Sequence, residues 1–161
     1  MVISLLALSI LSFSTKQFKC MPCGERCDNV VYDSPGKCSH CQMSLVDAAT
    51  ITFKNINPAD LCKYLSEHPE TILLDVRTKD EFEGKGNPNY GVLKNAFNIP
   101  IQELEKRTTE IDSLKDREII VYCSHSRRSP RASYILTQLG FKKITNLDGG
   151  MSVLKDNSCK K

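Results

Sequence analysis

From Ile51 onward the chain alternates between short apolar runs and segments whose apolar residues recur at helical spacing. Ile51–Phe53 reads as a strand. Asn57-Pro58 opens a helix through Leu61 and Leu65, with Asn57 as its cap and Pro58 at the first helical position. Ile72–Val76 reads as a buried strand, Ala96–Ile99 as a short one, and Ile101–Lys106 as helical. Glu118–Tyr122 is a second continuous apolar strand. Ser129-Pro130 starts a helix with Ala132, Ile135, Leu136 and Leu139 on one face, and Gly140 ends it. Lys143–Asn146 is the last strand. Fully apolar strands alternating with helices predict an α/β fold, a parallel sheet flanked by helices on both faces.

Residues 19–46 have another character. They hold Cys20, Cys23, Cys27, Cys38 and Cys41, together with Pro22, Gly24, Pro35 and Gly36, and few large apolar side chains. Such a segment cannot bury enough surface to fold alone, so a metal or disulfides must hold it. Residues 156–161 read as a polar tail. Met1–Leu11 is nearly all apolar, and no acidic residue precedes Glu25. That run is shorter than the roughly 20 residues a membrane-spanning helix needs. With small residues at Ser12 and Ser14 it reads as a signal peptide over residues 1–14, which predicts a periplasmic or otherwise exported protein. The alternative is a cytoplasmic chain with a buried amino-terminal helix or a misassigned start.

Composition narrows the function classes. With 40% hydrophobic and 25% charged residues, the 161-residue chain has material for a core and is not a disordered one. A net charge of +3, with no basic cluster interleaved with aromatics, excludes a nucleic-acid-binding footprint. No integral membrane span is expected.

The chemistry concentrates in Cys123-Ser124-His125-Ser126-Arg127-Arg128-Ser129-Pro130. A buried strand delivers Cys123 to its carboxyl end, where open parallel sheets bind ligands. A helix begins a few residues later, so the loop can aim backbone N–H groups at the sulfur and form an anion-binding nest. The positive end of the helix and the charges of Arg127 and Arg128 favour thiolate over thiol. A thiolate so held is a nucleophile. An inert buried cysteine is the bland alternative, but Ser, His and Arg are a poor lining for an apolar core. Four residues separate Cys123 from Arg128, a loop better sized for one sulfur atom than for a phosphate.

The stretch from about Ile51 to Lys155 resembles a rhodanese (sulfurtransferase) domain. The resemblance rests on Asp75-Val76-Arg77 followed by Glu81-Phe82, on Gly91 to Pro100, on the loop Cys123 to Ser129, and on Gly149-Gly150. It implies that Cys123 takes an outer sulfur from a donor such as thiosulfate, becomes a persulfide, and passes the sulfur to cyanide or a thiol. It also implies that Ser124, His125, Ser126, Arg127 and Ser129 bind the substrate and hold the persulfide, and that Arg128 orients the donor's charged end. No cofactor is needed for that transfer. Three positions depart from the family pattern. His125-Ser126 stands for Ser-Gly, Val92 for a histidine, and Gly84 to Tyr90 is a longer loop beside the site.

Other residues have plainer expectations. Asp75 and Arg77 form a structural pair at a strand end, His125 is a polar side chain at the pocket mouth, and Tyr122 and Phe97 are core. Cys62 is expected to be a small buried hydrophobe and Cys159 a thiol in a fraying tail.

Cys20-x-x-Cys23 and Cys38-x-x-Cys41 have the spacing of zinc knuckles, with Cys27 a fifth candidate ligand. The phrase Pro35-Gly36-Lys37-Cys38-Ser39-His40-Cys41-Gln42-Met43 resembles the small heavy-metal-binding domain of bacterial metal exporters. Which four groups bind is open. Soft sulfur ligands suit zinc or another thiophilic metal ion. Two disulfides and a spare thiol are the alternative. The expected partners are a small sulfur donor, a thiol or cyanide acceptor, and metal-handling proteins. A non-catalytic metal-binding sensor, and an arsenate reductase or phosphatase, are competing functions.

Overall fold

A computed structural model of the chain describes residues 16–161, so the expected signal peptide lies outside the described residues. Two sheets follow one another along the chain. The first is antiparallel and small: β1 (Phe18–Cys20) lies between β2 (Val31–Tyr32) and β3 (Leu45–Asp47). Its interior is sulfur rather than aliphatic carbon, with Cys20, Cys27 and Cys38 buried against Cys23, Cys41, Met43 and Leu45.

The second sheet has five strands, β4 (Lys54–Ile56), β5 (Ile72–Asp75), β6 (Phe97–Asn98), β7 (Glu118–Tyr122) and β8 (Lys143–Leu147). They run in the order β4-β8-β7-β5-β6, and every pairing is parallel. The central strand β7 pairs Ile119 to Val121 with Ile72 to Leu74 on one side and with Ile144 to Asn146 on the other.

Side chains alternate across a strand, and here both faces are apolar. Leu74, Ile119 and Val121 point into one core with Leu104, Ala132, Leu136 and Phe141. Leu73, Ile120 and Tyr122 point into the other with Leu61, Leu93, Met151 and Leu154. The helices α3 (Ile101–Arg107) and α4 (Ser129–Gln138) cover the first face, and α1 (Pro58–Glu67) the second. Shortening the fully buried Leu136 to alanine would cost about 2–5 kcal/mol.

Local signals account for the helix starts. The Asn57 side chain accepts the Ala59 N–H at 2.9 Å, capping α1. The short helix α2 (Lys79–Phe82) carries a full capping box, in which Thr78 and Glu81 satisfy one another's backbone N–H groups.

Two expectations are corrected. Ile51–Phe53 is not a strand; the ladder to β8 begins at Lys54. Because β4 is an edge strand it tolerates Lys54 and Asn55, while Phe53 packs on the core without ladder hydrogen bonds, so apolarity marks burial there and not pairing. Cys62 and Cys159 are neither a lone hydrophobe nor a frayed thiol. They form a disulfide that ties the carboxy-terminal tail to α1. The tail is docked further by N–H groups of Lys94 and Lys161, which donate to the carbonyls of Cys159 and Val92 at 2.9 and 2.8 Å.

Candidate active site

Strand β7 ends at Tyr122, and Cys123 follows with 1% of its surface exposed. The loop then turns back within six residues into α4. That helix has no side-chain cap at Arg128, so its first amides are available. Cys123 Sγ takes them. Backbone N–H groups of His125, Arg128 and Ser129 are directed at the sulfur, and the Ser129 hydroxyl donates to it at 3.4 Å. Burial alone would push this thiol up; the hydrogen bonds from Ser129, Arg128 and His125 outweigh it and hold the thiol below its ordinary value.

Two contacts shape the loop. Ser126 occupies the left-handed region with φ of 53°, a conformation that costs a residue with a Cβ about 1–2 kcal/mol. Its hydroxyl accepts from Asn146 Nδ2 at 3.2 Å, which ties this turn to β8. Gly150 closes the other side. Its φ is 70°, and a Cβ there would stand 2.6 Å from the Cys123 carbonyl oxygen, so only glycine lets the chain approach. The approach is used, for Met151 and Ser152 donate N–H groups to the Cys123 and Ser124 carbonyls, each at 2.9 Å.

The charged side chains are paired. Arg128 Nη1 and Nη2 donate to the two oxygens of Glu81 at 2.6 and 2.8 Å, and Ser124 Oγ donates to Glu81 at 2.7 Å. Arg128 above all, then Thr78 and Ser124, hold the Glu81 carboxyl far below the usual carboxylate range despite partial burial. Thus Glu81, a residue of the motif that follows Asp75-Val76-Arg77, is the anchor of Arg128. The sequence signals for it are the Glu81-Phe82 pair of the family resemblance and the capping box with Thr78. Arg127 pairs with Glu25 of the Cys-rich segment. His125 Nε2 lies 3.0 Å from the Tyr90 hydroxyl, so the long loop ending at Tyr90 reaches the pocket mouth. Asp75 and Arg77 form the expected structural pair, buried, with contacts of 2.6 to 3.0 Å, and Arg77 also donates to the Gly91 carbonyl at 2.8 Å.

The Cys-rich segment gathers four sulfurs. Those of Cys20, Cys23, Cys27 and Cys41 all lie within 4.8 Å of one another. Their closer separations are 3.2 Å for Cys20–Cys41, 3.7 Å for Cys23–Cys27 and for Cys27–Cys41, and 4.0 Å for Cys23–Cys41. Four thiolates at ~2.3 Å from one tetrahedral zinc ion stand about 3.8 Å apart, so this donor set fits such an ion. Burial first, and then the neighbouring sulfurs, push the Cys20 thiol up, and burial and Asp28 do the same at Cys23. Ionising such crowded sulfurs calls for a cation among them.

Cys38, expected among the ligands, lies outside this group of four. Its buried sulfur accepts N–H groups of Cys41 and His40 and the Tyr32 hydroxyl at 3.7 Å, which bring its thiol down to about 6. Cys27 completes the group of four, and the Cys38 sulfur, which also interacts with those of Cys20 and Cys27, lies beside it. None of the five is disulfide-bonded.

The geometry has known counterparts. A sulfurtransferase of Allochromatium vinosum is 30% identical over 96 residues, covering 60% of this chain and 82% of that one. A tRNA uridine(34) hydroxylase of Cytophaga hutchinsonii is 28% identical over 115 residues, and this chain covers only 35% of its length. The crystal structure of a rhodanese-related protein from Thermoplasma volcanium superposes with a TM-score of 0.54 at 30% identity, covering 66% of this chain and 94% of that one. Residues 58–157, which span the parallel sheet from α1 to beyond β8 and include the whole Cys123 loop, match the Rhodanese-like domain, and the chain belongs to that family.

Proposed function

We propose that the chain is a sulfurtransferase that carries a sulfane sulfur on Cys123. The observation that carries this reading is the convergence of three backbone N–H groups and the Ser129 hydroxyl on Cys123 Sγ. In the first step the thiolate bonds to the outer sulfur of a thiosulfate- or persulfide-type donor. The donor's S–S bond breaks, and its electron pair leaves on sulfite or on a thiolate. The same amides then hold the persulfide's charge. In the second step a thiolate or cyanide attacks the outer persulfide sulfur, and Cys123 departs as thiolate. Arg128, fixed by Glu81, shapes the loop, while Ser124, His125, Ser126, Arg127 and Ser129 line or support it.

The reading includes a zinc or other thiophilic ion held by Cys20, Cys23, Cys27 and Cys41. When bound, the ion would cross-link a segment that has almost no aliphatic core. It also includes export, with metal-handling proteins as partners. The Cys62–Cys159 disulfide supports export, because such bonds persist in oxidising compartments. Among the described residues no helix is long and apolar enough to cross a membrane.

Turnover of thiosulfate with cyanide tests the reading. The wild type is expected to produce thiocyanate, and Cys123→Ser to lose at least about a thousandfold. Equal rates in the two proteins would leave a metal-binding scaffold as the better account.

A further inference from the structure

One turn of the Cys-rich segment rests on the candidate catalytic loop. Between Cys23 and Cys27, Gly24 lies with φ of 75° so close to Ser126 that any Cβ would collide with the Ser126 carbonyl. The Asp28 carboxylate holds this turn, accepting N–H groups of Cys23 and Gly24 at 3.0 and 2.7 Å. The next residue, Glu25, pairs with Arg127. Glu81 pairs with Arg128 from the opposite side. Both arginines of the loop therefore face a carboxylate, and one of those carboxylates comes from outside the parallel-sheet domain.

This arrangement bears on which donor the loop accepts. Thiosulfate brings two negative charges toward a sulfur that must itself be ionised. Unpaired arginines would attract it; neutralised ones do not. A small-thiol persulfide brings at most one charge at its reacting end. A cleft of about 580 Å³ lies beside the loop at the junction, where His125, Asn146, Lys19 and Arg26 share its lining with the acidic Glu25, Asp28 and Asp148.

We propose that Glu25 is a specificity-determining residue, supplied by the Cys-rich segment, that disfavours doubly charged donors and biases Cys123 toward persulfides of small thiols. The proposal rests on the reading of Cys123 as a sulfur carrier. With thiosulfate, Cys123–S⁻ gains the outer sulfur and sulfite leaves with the electron pair. With a persulfide RSSH, Cys123–S⁻ gains the terminal sulfur and proton, and RS⁻ leaves. Both steps balance without an added oxidant.

The test is the rate of Cys123 persulfide formation, followed by quenched intact mass on the full metal-loaded chain. Thiosulfate and cysteine persulfide serve as donors across a range of concentrations. Glu25→Gln is expected to raise the thiosulfate-to-persulfide ratio of specificity constants about threefold, the size an exposed charge commands. The gain should lie in the thiosulfate concentration at half-saturation and not in the limiting rate. It should vanish in about 1 M salt and in the double variant with Arg127→Gln. An unchanged ratio, or a gain that persists in the double variant, overturns the proposal. If Glu25→Gln does not fold, Arg127→Gln alone carries the test, since leaving Glu25 unpaired should lower the ratio about threefold. A wild type that forms no persulfide with either donor overturns the sulfur-carrier reading itself, a result distinct from an unchanged ratio.

Discussion

Glu81 grips Arg128 through two hydrogen bonds of 2.6 and 2.8 Å across 47 residues of sequence, and it takes a third from Ser124. The last loop residue before α4 is thereby held from outside the loop. Its backbone N–H, one of those directed at Cys123, is held with it.

Glu81→Gln keeps the shape but loses the charge and weakens this grip. Sulfur-transfer kcat/KM should fall about tenfold or more, because a small displacement of the loop misaligns its amides. The acid stability profile should change as well. The folded-state pKa of Glu81 is depressed from an ordinary 4.5, so its contribution is present above that value and is lost as the pH falls below it. The gap between the melting temperatures of wild type and variant should therefore narrow, without closing, as the pH falls from about 5 to about 3.

Ser129→Ala removes the hydroxyl that donates to Cys123 Sγ at 3.4 Å. The thiol is held below its ordinary value by such donors, so the variant's should rise. The rate of Cys123 alkylation by iodoacetamide, followed against pH, should titrate at higher pH than in the wild type and be severalfold slower near pH 7. Superimposable profiles would mean that the hydroxyl plays no part.

Cys159→Ser opens a covalent loop whose ends are 97 residues apart in sequence. Loops of this length contribute about 2–4 kcal/mol when closed, so urea unfolding should show a loss of that order. The reduced wild type should match the variant.

Removal of metal should separate the two sheets. A strong chelator is expected to raise amide exchange in residues 18–47 while β5, β7 and β8 stay protected, because only the first sheet lacks an aliphatic core. Elemental analysis should find about one metal ion per chain. Cys27→Ser should lower that content more than Cys38→Ser, since the Cys27 sulfur belongs to the group of four and the Cys38 sulfur lies outside it.

What the sequence made legible was what local chemistry encodes. Asn57-Pro58 announced α1, the apolar runs at Ile72 and Glu118 announced central strands buried on both faces, and Cys123 announced the loop. Edge strand β4 departs from the apolar pattern because Ile51–Phe53 answers to burial while the ladder lies three residues on, at Lys54–Ile56. The Cys62–Cys159 bond and the Glu81–Arg128 pair join residues 97 and 47 positions apart, and no spacing rule relates them. The four-sulfur set escaped the C-x-x-C pattern for a related reason. The turn tied by Asp28 brings Cys27 inward, while Cys38 turns to the amides of His40 and Cys41.

The intact mass of the protein after exposure to a sulfane donor tests the central claim most directly. The account predicts an adduct of about 32 Da, one sulfur atom, on Cys123 that cyanide removes and that Cys123→Ser never acquires. An adduct that survives in Cys123→Ser, or no adduct with either thiosulfate or a persulfide, would contradict it.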